Sequence, residues 1–145
     1  MVHRRGADAT AEARARWRSR DNDWHLLCLK NVRELLNIDS HYLWANTAWD
    51  GAHHKVRTTN QHRIPYGAPV FSDRPGGSKF GHVMLAGGRF PNGQRILWTN
   101  DERWDGRITP VTFAFITGHW GHKIKGFTRD LNGTGIPYLL DGKGL

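Results

Sequence analysis

A single cysteine in 145 residues excludes an intramolecular disulfide, so the fold has to hold by core packing and does not depend on an oxidising compartment. No stretch approaches the roughly 18 consecutive apolar residues of a membrane-spanning helix. The N-terminal Met1-Val2-His3-Arg4-Arg5 is basic but leads into Ala7, Asp8 and Ala9 rather than an apolar segment, so it does not read as a secretory signal. Internal repeats and low-complexity linkers are missing, and so is any carboxylate–histidine motif of the metalloprotease type. Acidic residues are the scarce charge. Thirteen Asp and Glu against 21 Lys and Arg leave a formal charge of +8, which predicts attraction to a polyanion. Nucleic acid, acidic lipid and anionic cell-wall polymer all fit, and charge alone does not choose among them.

What is present predicts a packed globule: 38% hydrophobic residues and seven Trp, in a length that suits one domain over residues 1–145. Residues 1–22 read as a basic, helical N-terminal extension, with Ala and Arg over residues 9–20 forming a mostly solvated helix. Asp21-Asn22-Asp23 is a helix-start signal, and Leu29, Val32, Leu35 and Leu36 then recur at helical spacing. That places Cys28 near the N-terminal, inward-facing end of the helix. Tyr42, Leu43, Ala45, Ala48 and Trp49 read as a second short helix ended by Gly51. From about residue 60 the pattern changes to strands: Pro69 to Ser72, His82 to Ala86, Arg95 to Thr99, Gly106 to Thr109 and Lys123 to Phe127. Val111 to Trp120 is expected as a short helix. Helices first and an antiparallel sheet afterwards give an α+β domain.

A thiol is a useful nucleophile only as thiolate, and a helix N-terminus favours that form. A neighbouring imidazole does more by accepting the proton. Of nine histidines, His82 is the best placed, because it follows Gly81 and opens a strand that can reach a helix end. A third polar group should orient the imidazole, and Asn100 and Asp101 at the end of the following strand are the candidates. Spacing alone leaves two other readings open: Cys28 as a small buried apolar residue, and His82 as a structural histidine.

The segment Trp24-His25-Leu26-Leu27-Cys28-Leu29-Lys30-Asn31-Val32-Arg33 resembles the cysteine-bearing helix of papain-like CHAP amidohydrolase/peptidases, and more narrowly the peptidase-like modules encoded by phages of actinobacteria. The resemblance continues through Ala48-Trp49-Asp50-Gly51-Ala52 and Ile64-Pro65-Tyr66-Gly67-Ala68-Pro69-Val70-Phe71. It is strongest at Phe80-Gly81-His82-Val83-Met84-Leu85 and runs on through Trp98-Thr99-Asn100-Asp101 to Gly126-Phe127-Thr128-Arg129-Asp130-Leu131-Asn132-Gly133. It covers about residues 24–133. The resemblance implies a papain-like fold with helices packed on a small antiparallel sheet, and hydrolysis of an amide bond in bacterial peptidoglycan, as an endopeptidase or an N-acetylmuramoyl-L-alanine amidase. Cys28 would attack, His82 would act as base and then acid, and Asp101 would orient His82, with Asn100 as the alternative. The Cys28 backbone N–H would donate to the oxyanion. No cofactor or metal is implied. The expected protein is a monomer, held in the host cytoplasm until release and then acting at the cell wall. One departure stands next to the nucleophile. Many relatives carry a small residue before the cysteine, where this chain has Leu27, and the width of the substrate cleft depends on it.

Other features have simpler readings. His53-His54, His62, and His119 with His122 could suggest zinc, but zinc needs three or four converging ligands, and these histidines fit a groove or a surface better. Trp98 and Trp104 are the tryptophans nearest the presumed site and could stack on a sugar or a stem peptide. Asp101, Glu102 and Asp105 lie on one short stretch and do not offer a carboxyl pair facing across a sugar ring. A silent basic module that binds wall polymer or nucleic acid on the same scaffold is the alternative function. A DNA-binding protein is a weaker third, because no helix interleaves Arg with base-reading Asn or Gln.

Overall fold

The apolar segments of the second half pair into one antiparallel sheet in a computed structural model that describes residues 5–20, 22–101 and 105–136. Its strands are β1 (Lys55–Arg57), β2 (Pro69–Asp73), β3 (His82–Arg89), β4 (Arg95–Asn100), β5 (Ile108–Thr112) and β6 (Lys123–Thr128), in the order β1-β6-β2-β3-β4-β5. A two-residue hairpin, β7 (Asp130–Leu131) with β8 (Thr134–Gly135), follows β6. Three helices precede the sheet: α1 (Gly6–Ser19), α2 (Cys28–Leu35) and α3 (Ala45–Gly51). The class is therefore α+β, with helices and an antiparallel sheet. None of the described helices is long and apolar enough to cross a membrane.

Strand alternation sorts the core into two layers. On one face Phe71, Val83, Leu85, Ile96 and Trp98 meet the helices through Ala9, Ala13, Val32, Leu35 and Trp49. On the other face Val70, Met84, Ala86, Leu97 and Val111 meet Ile64, Ile116 and Phe127, with Trp120 packed at the margin. Because both faces are covered, β3 and β4 read as continuous apolar runs rather than alternating ones. Each fully buried Leu, Val or Phe contributes about 1.5–3 kcal/mol, so the cores on both faces matter to stability.

Four sequence expectations change. The helix at α1 is not simply a solvated face: Ala9 and Ala13 are fully buried, and Thr10 Oγ1 lies 2.7 Å from the Tyr66 hydroxyl. Small residues let this helix lie close against the sheet. The cysteine helix begins at Cys28 itself, after a turn over Asp23–Leu26, and its capping residue Leu27 offers no side-chain acceptor. Val111 and Thr112 extend β5 by pairing with Leu97 and Ile96, so the winding is confined to residues 113–119, with Phe115–His119 as a wide π-type turn. Tyr42 and Leu43 lie ahead of α3 rather than within it. β1 and the β7–β8 hairpin are too short and polar to show a strand period.

Candidate active site

The loop before α2 is built by the residues expected to orient His82. Asp101, 7% exposed, accepts hydrogen bonds from the Leu26 N–H and, at 2.7 Å, from the Gly106 N–H, and it lies 2.9 Å from His25 Nδ1. Asn100 Nδ2 donates to the Trp24 carbonyl at 2.6 Å, and Gly106 O accepts from the Trp24 N–H at 3.0 Å. Gly106 has a positive φ of 73°, and a side chain there would run into the Asn22 carbonyl. Leu26 and Asp101 both adopt the left-handed region, with φ of 58° and 60°, which non-glycine residues enter only when their surroundings hold them. Neither Asp101 nor Asn100 bonds to His82. They fix the entry of the chain into Cys28 instead.

Cys28 is 8% exposed and opens onto a cleft of about 370 Å³. The Val83 N–H, the Arg74 guanidinium and the Leu29 N–H are the groups whose positive ends favour its thiolate. The pairing of β3 with β4 starts only at Leu85↔Trp98, which leaves the beginning of β3 without a β4 partner where the sulfur approaches. Burial pushes the thiol above its ordinary value, and the Val83 N–H and Arg74 pull the other way. Arg74 is anchored by Nε donating to the Gly81 carbonyl at 2.9 Å. Gly81 has φ of 67°, and a side chain there would strike Asn46 Oδ1. A glycine is therefore required just before His82.

His82 sits at the same corner but shares the parity of Met84 and Ala86, on the sheet face away from α2. Its Nε2 lies 2.8 Å from Thr99 Oγ1, and its Nδ1 is buried with no hydrogen-bond partner among the described residues. No hydrogen bond joins Cys28 to His82, and the partner of the ring is Thr99, immediately before the Asn100–Asp101 pair. The Thr99 hydroxyl also has the Asn100 carbonyl as an acceptor at 3.3 Å, an arrangement compatible with a ring proton on Nε2. Around the ring stand Trp120 and His122, each with centroids 5.5 Å away, and His122 Nδ1 is 2.9 Å from Ser72 Oγ. Burial, then the charge of Arg74 and the neighbouring His122, hold His82 well below the usual imidazole range. Burial and then Arg74 lower His122 to about 4, against the opposing pull of Asp73.

The remaining expected residues divide. Leu27, 40% exposed, lines the cleft beside Cys28. Trp98 is 2% exposed, packs 5.9 Å from Trp17 and lies away from the cleft, because its β4 position faces the helix-side core. Trp104, Glu102 and Asp21 lie outside the described residues. His53 and His54 donate their backbone N–H groups to Asp130, His62 bonds Arg89, and His119 stacks on Phe115. Among the described residues no three His, Cys, Asp or Glu side chains converge as metal ligands.

Sequence reasoning missed Arg74, Thr99, Trp44 and Phe80. Arg74 lies in a Pro-Gly-Gly loop that carries no periodicity. Thr99 could be found only from the β3–β4 register, which places it on the His82 face. Trp44 and Phe80 meet edge to face at 4.8 Å with Lys79 over both rings, and they form part of the cleft wall. No family model matches the chain, and neither a curated protein nor a solved structure matches it.

Proposed function

We propose that the chain is a papain-like cysteine hydrolase that cleaves an amide bond of the peptidoglycan stem peptide, either as an endopeptidase or as an N-acetylmuramoyl-L-alanine amidase. The observation that carries this reading is the corner where α2 meets β3. A helix-start thiol there opens on a cleft lined also by Arg74, and at the start of β3 stands an imidazole whose Nδ1 is buried without a hydrogen-bond partner among the described residues. Nδ1 takes the thiol proton as the sulfur adds to the carbonyl carbon, and the oxyanion receives the Cys28 N–H at the helix start. His82 then returns the proton to the leaving amine, and water hydrolyses the thioester. His82 lies on the sheet face away from α2, so this reading requires its imidazole to turn round the start of β3 toward the sulfur as substrate binds. Lys30 and Arg74 at the cleft, with Lys79 over its Trp44–Phe80 wall, suit the carboxylates of a stem peptide.

Cys28→Ala and His82→Ala should each abolish the release of new amines from purified cell wall. Wild-type cleavage by the Cys28→Ala protein would sink the reading.

One observation favours a second reading, a catalytically silent module that holds wall polymer on the same scaffold. Burial raises Cys28, and no bond joins it to His82. That reading predicts no amine release by the wild type and retention of the chain on insoluble wall.

A further inference from the structure

The cleft over Cys28 has a composition of its own. Of the six exposed large apolar side chains among the described residues, Leu26, Leu27, Leu43, Trp44 and Phe80 line it, leaving only Trp17 elsewhere. The charged residues of its lining are Lys30 and Arg74, both cationic, and Lys79 stands over the Trp44 and Phe80 rings of its wall. An anion formed in this apolar surround would be poorly hydrated, so a fixed positive charge beside it has a large effect.

Arg74 lines the cleft together with Cys28 and is the one of these three cations whose charge acts on the thiol. It is held there by its Nε bond to Gly81 O, 2.9 Å, a carbonyl whose own position depends on a glycine at positive φ. Among the described residues no carboxylate pairs with Arg74: the adjacent Asp73 lies 3.3 Å from Lys125 Nζ instead. The guanidinium charge is therefore not neutralised by a carboxylate partner. The other titratable groups around Cys28 serve differently. His82 and His122 lie on the far face of β3 as neutral imidazoles, the His25–Asp101 pair closes the loop ahead of the helix, and Lys30 stands at the cleft wall, with Lys79 over its aromatic rings.

From this geometry we infer that Arg74 is the positioning residue that holds the Cys28 sulfur as thiolate once its proton has passed to His82. The inference rests on Cys28 being the nucleophile proposed above. It assigns to an arginine the stabilisation that a closed thiolate–imidazolium pair would otherwise supply alone. The guanidinium keeps its own protons throughout, so it lends charge and hydrogen bonds without taking part in proton transfer.

Because the chain has one cysteine, alkylation by iodoacetamide reads this site without ambiguity. The thiolate displaces iodide, one C–S bond forms, one C–I bond breaks, and the rate follows the thiolate fraction. The rate is measured against pH for the full chain and for Arg74→Gln, Arg74→Lys and His82→Ala, with folding followed by circular dichroism. Arg74→Gln should raise the midpoint of the rate profile by about one pH unit or more, and Arg74→Lys should recover part of that shift. A midpoint unchanged in Arg74→Gln would overturn the inference. If Arg74→Gln does not fold, the charge-removing Arg74→Met takes its place, and a wild-type midpoint and rate there would overturn it as well. Arg74-dependent labelling in a wild type that releases no amines from cell wall keeps this inference and removes the hydrolase reading.

Discussion

The two faces of β3 at its first residues are chemically opposite. Toward α2 the site is open, walled by exposed leucines and aromatics, and positively charged, with Cys28 and Arg74 at its floor. Toward the other face the site is closed: Ser72, Thr99, His82 and His122 are all buried, and their hydrogen bonds run among themselves. Under the proposed function, one face admits substrate and presents the thiol. The other keeps a histidine neutral. Successive residues of a strand point to opposite faces, so His82 and Val83 divide these duties between them. The sulfur meets the Val83 N–H, while the imidazole is held behind it.

The largest effect should come from the element that fixes the open face. Asp101→Ala removes an acceptor shared by the Leu26 and Gly106 N–H groups and the His25 ring. Two backbone donors lose their partner at a left-handed turn, so denaturant unfolding should show a loss of roughly 4 kcal/mol. His82→Ala in the same assay should leave the loop intact. If Asp101→Ala costs no more than a surface substitution, Asp101 does not build the loop.

The closed face should be visible as a pH dependence of stability. His122 is held at about 4 against an ordinary value of 6.5, and His82 is shifted in the same direction. Above pH 6.5 both states of the protein carry neutral imidazoles, and this contribution is fully present. As the pH falls, the unfolded chain binds protons that the native chain refuses, and stability is lost from about 6.5 down through 4. For His122 the gap corresponds to roughly 3 kcal/mol. Urea unfolding between pH 7.5 and 4.5 should therefore fall more steeply for the wild type than for His122→Asn, with the residual slope due to His82. Parallel slopes would mean that the histidine cluster is open to water, and the contrast between the faces would fail.

How much of this could be read from the chain depends on the range of each signal. The strands β2, β3, β4 and β6 were legible because β-branched and aromatic residues cluster between Gly and Pro turns. The helix at Cys28 was legible through Leu29, Val32 and Leu35. Its start was misplaced because Asp21-Asn22-Asp23 mimics a cap, whereas the acceptor that organises the turn, Asp101, is more than seventy residues away. Asp101 and Asn100 follow β4 as the strand pattern suggests, but their hydrogen bonds go to the loop before α2 rather than to His82, since sequence order carries no strand register. Trp98 was picked for its place in the chain and lies on the helix-side core. Arg74 reaches Cys28 only through a loop, and nothing local marks it.

The finest test of the contrast is Thr99→Val, which keeps shape and deletes one hydroxyl. Thr99 Oγ1 is the sole hydrogen-bond partner of the His82 ring among the described residues, so its loss leaves Nε2 buried and unpaired. Stability should fall by only about 1 kcal/mol. The imidazole, however, would no longer be fixed with its proton on Nε2, and a ring that flips or changes tautomer presents N–H rather than a lone pair toward the thiol. Amine release should drop by roughly tenfold or more, following the cost of losing a positioned base, and Thr99→Ser should restore it. The pH midpoint of Cys28 alkylation, set on the open face by Arg74, should move much less than in Arg74→Gln. If Thr99→Val lowers stability yet leaves amine release unchanged, the closed face is scaffolding, and the chemistry belongs to the cysteine face alone.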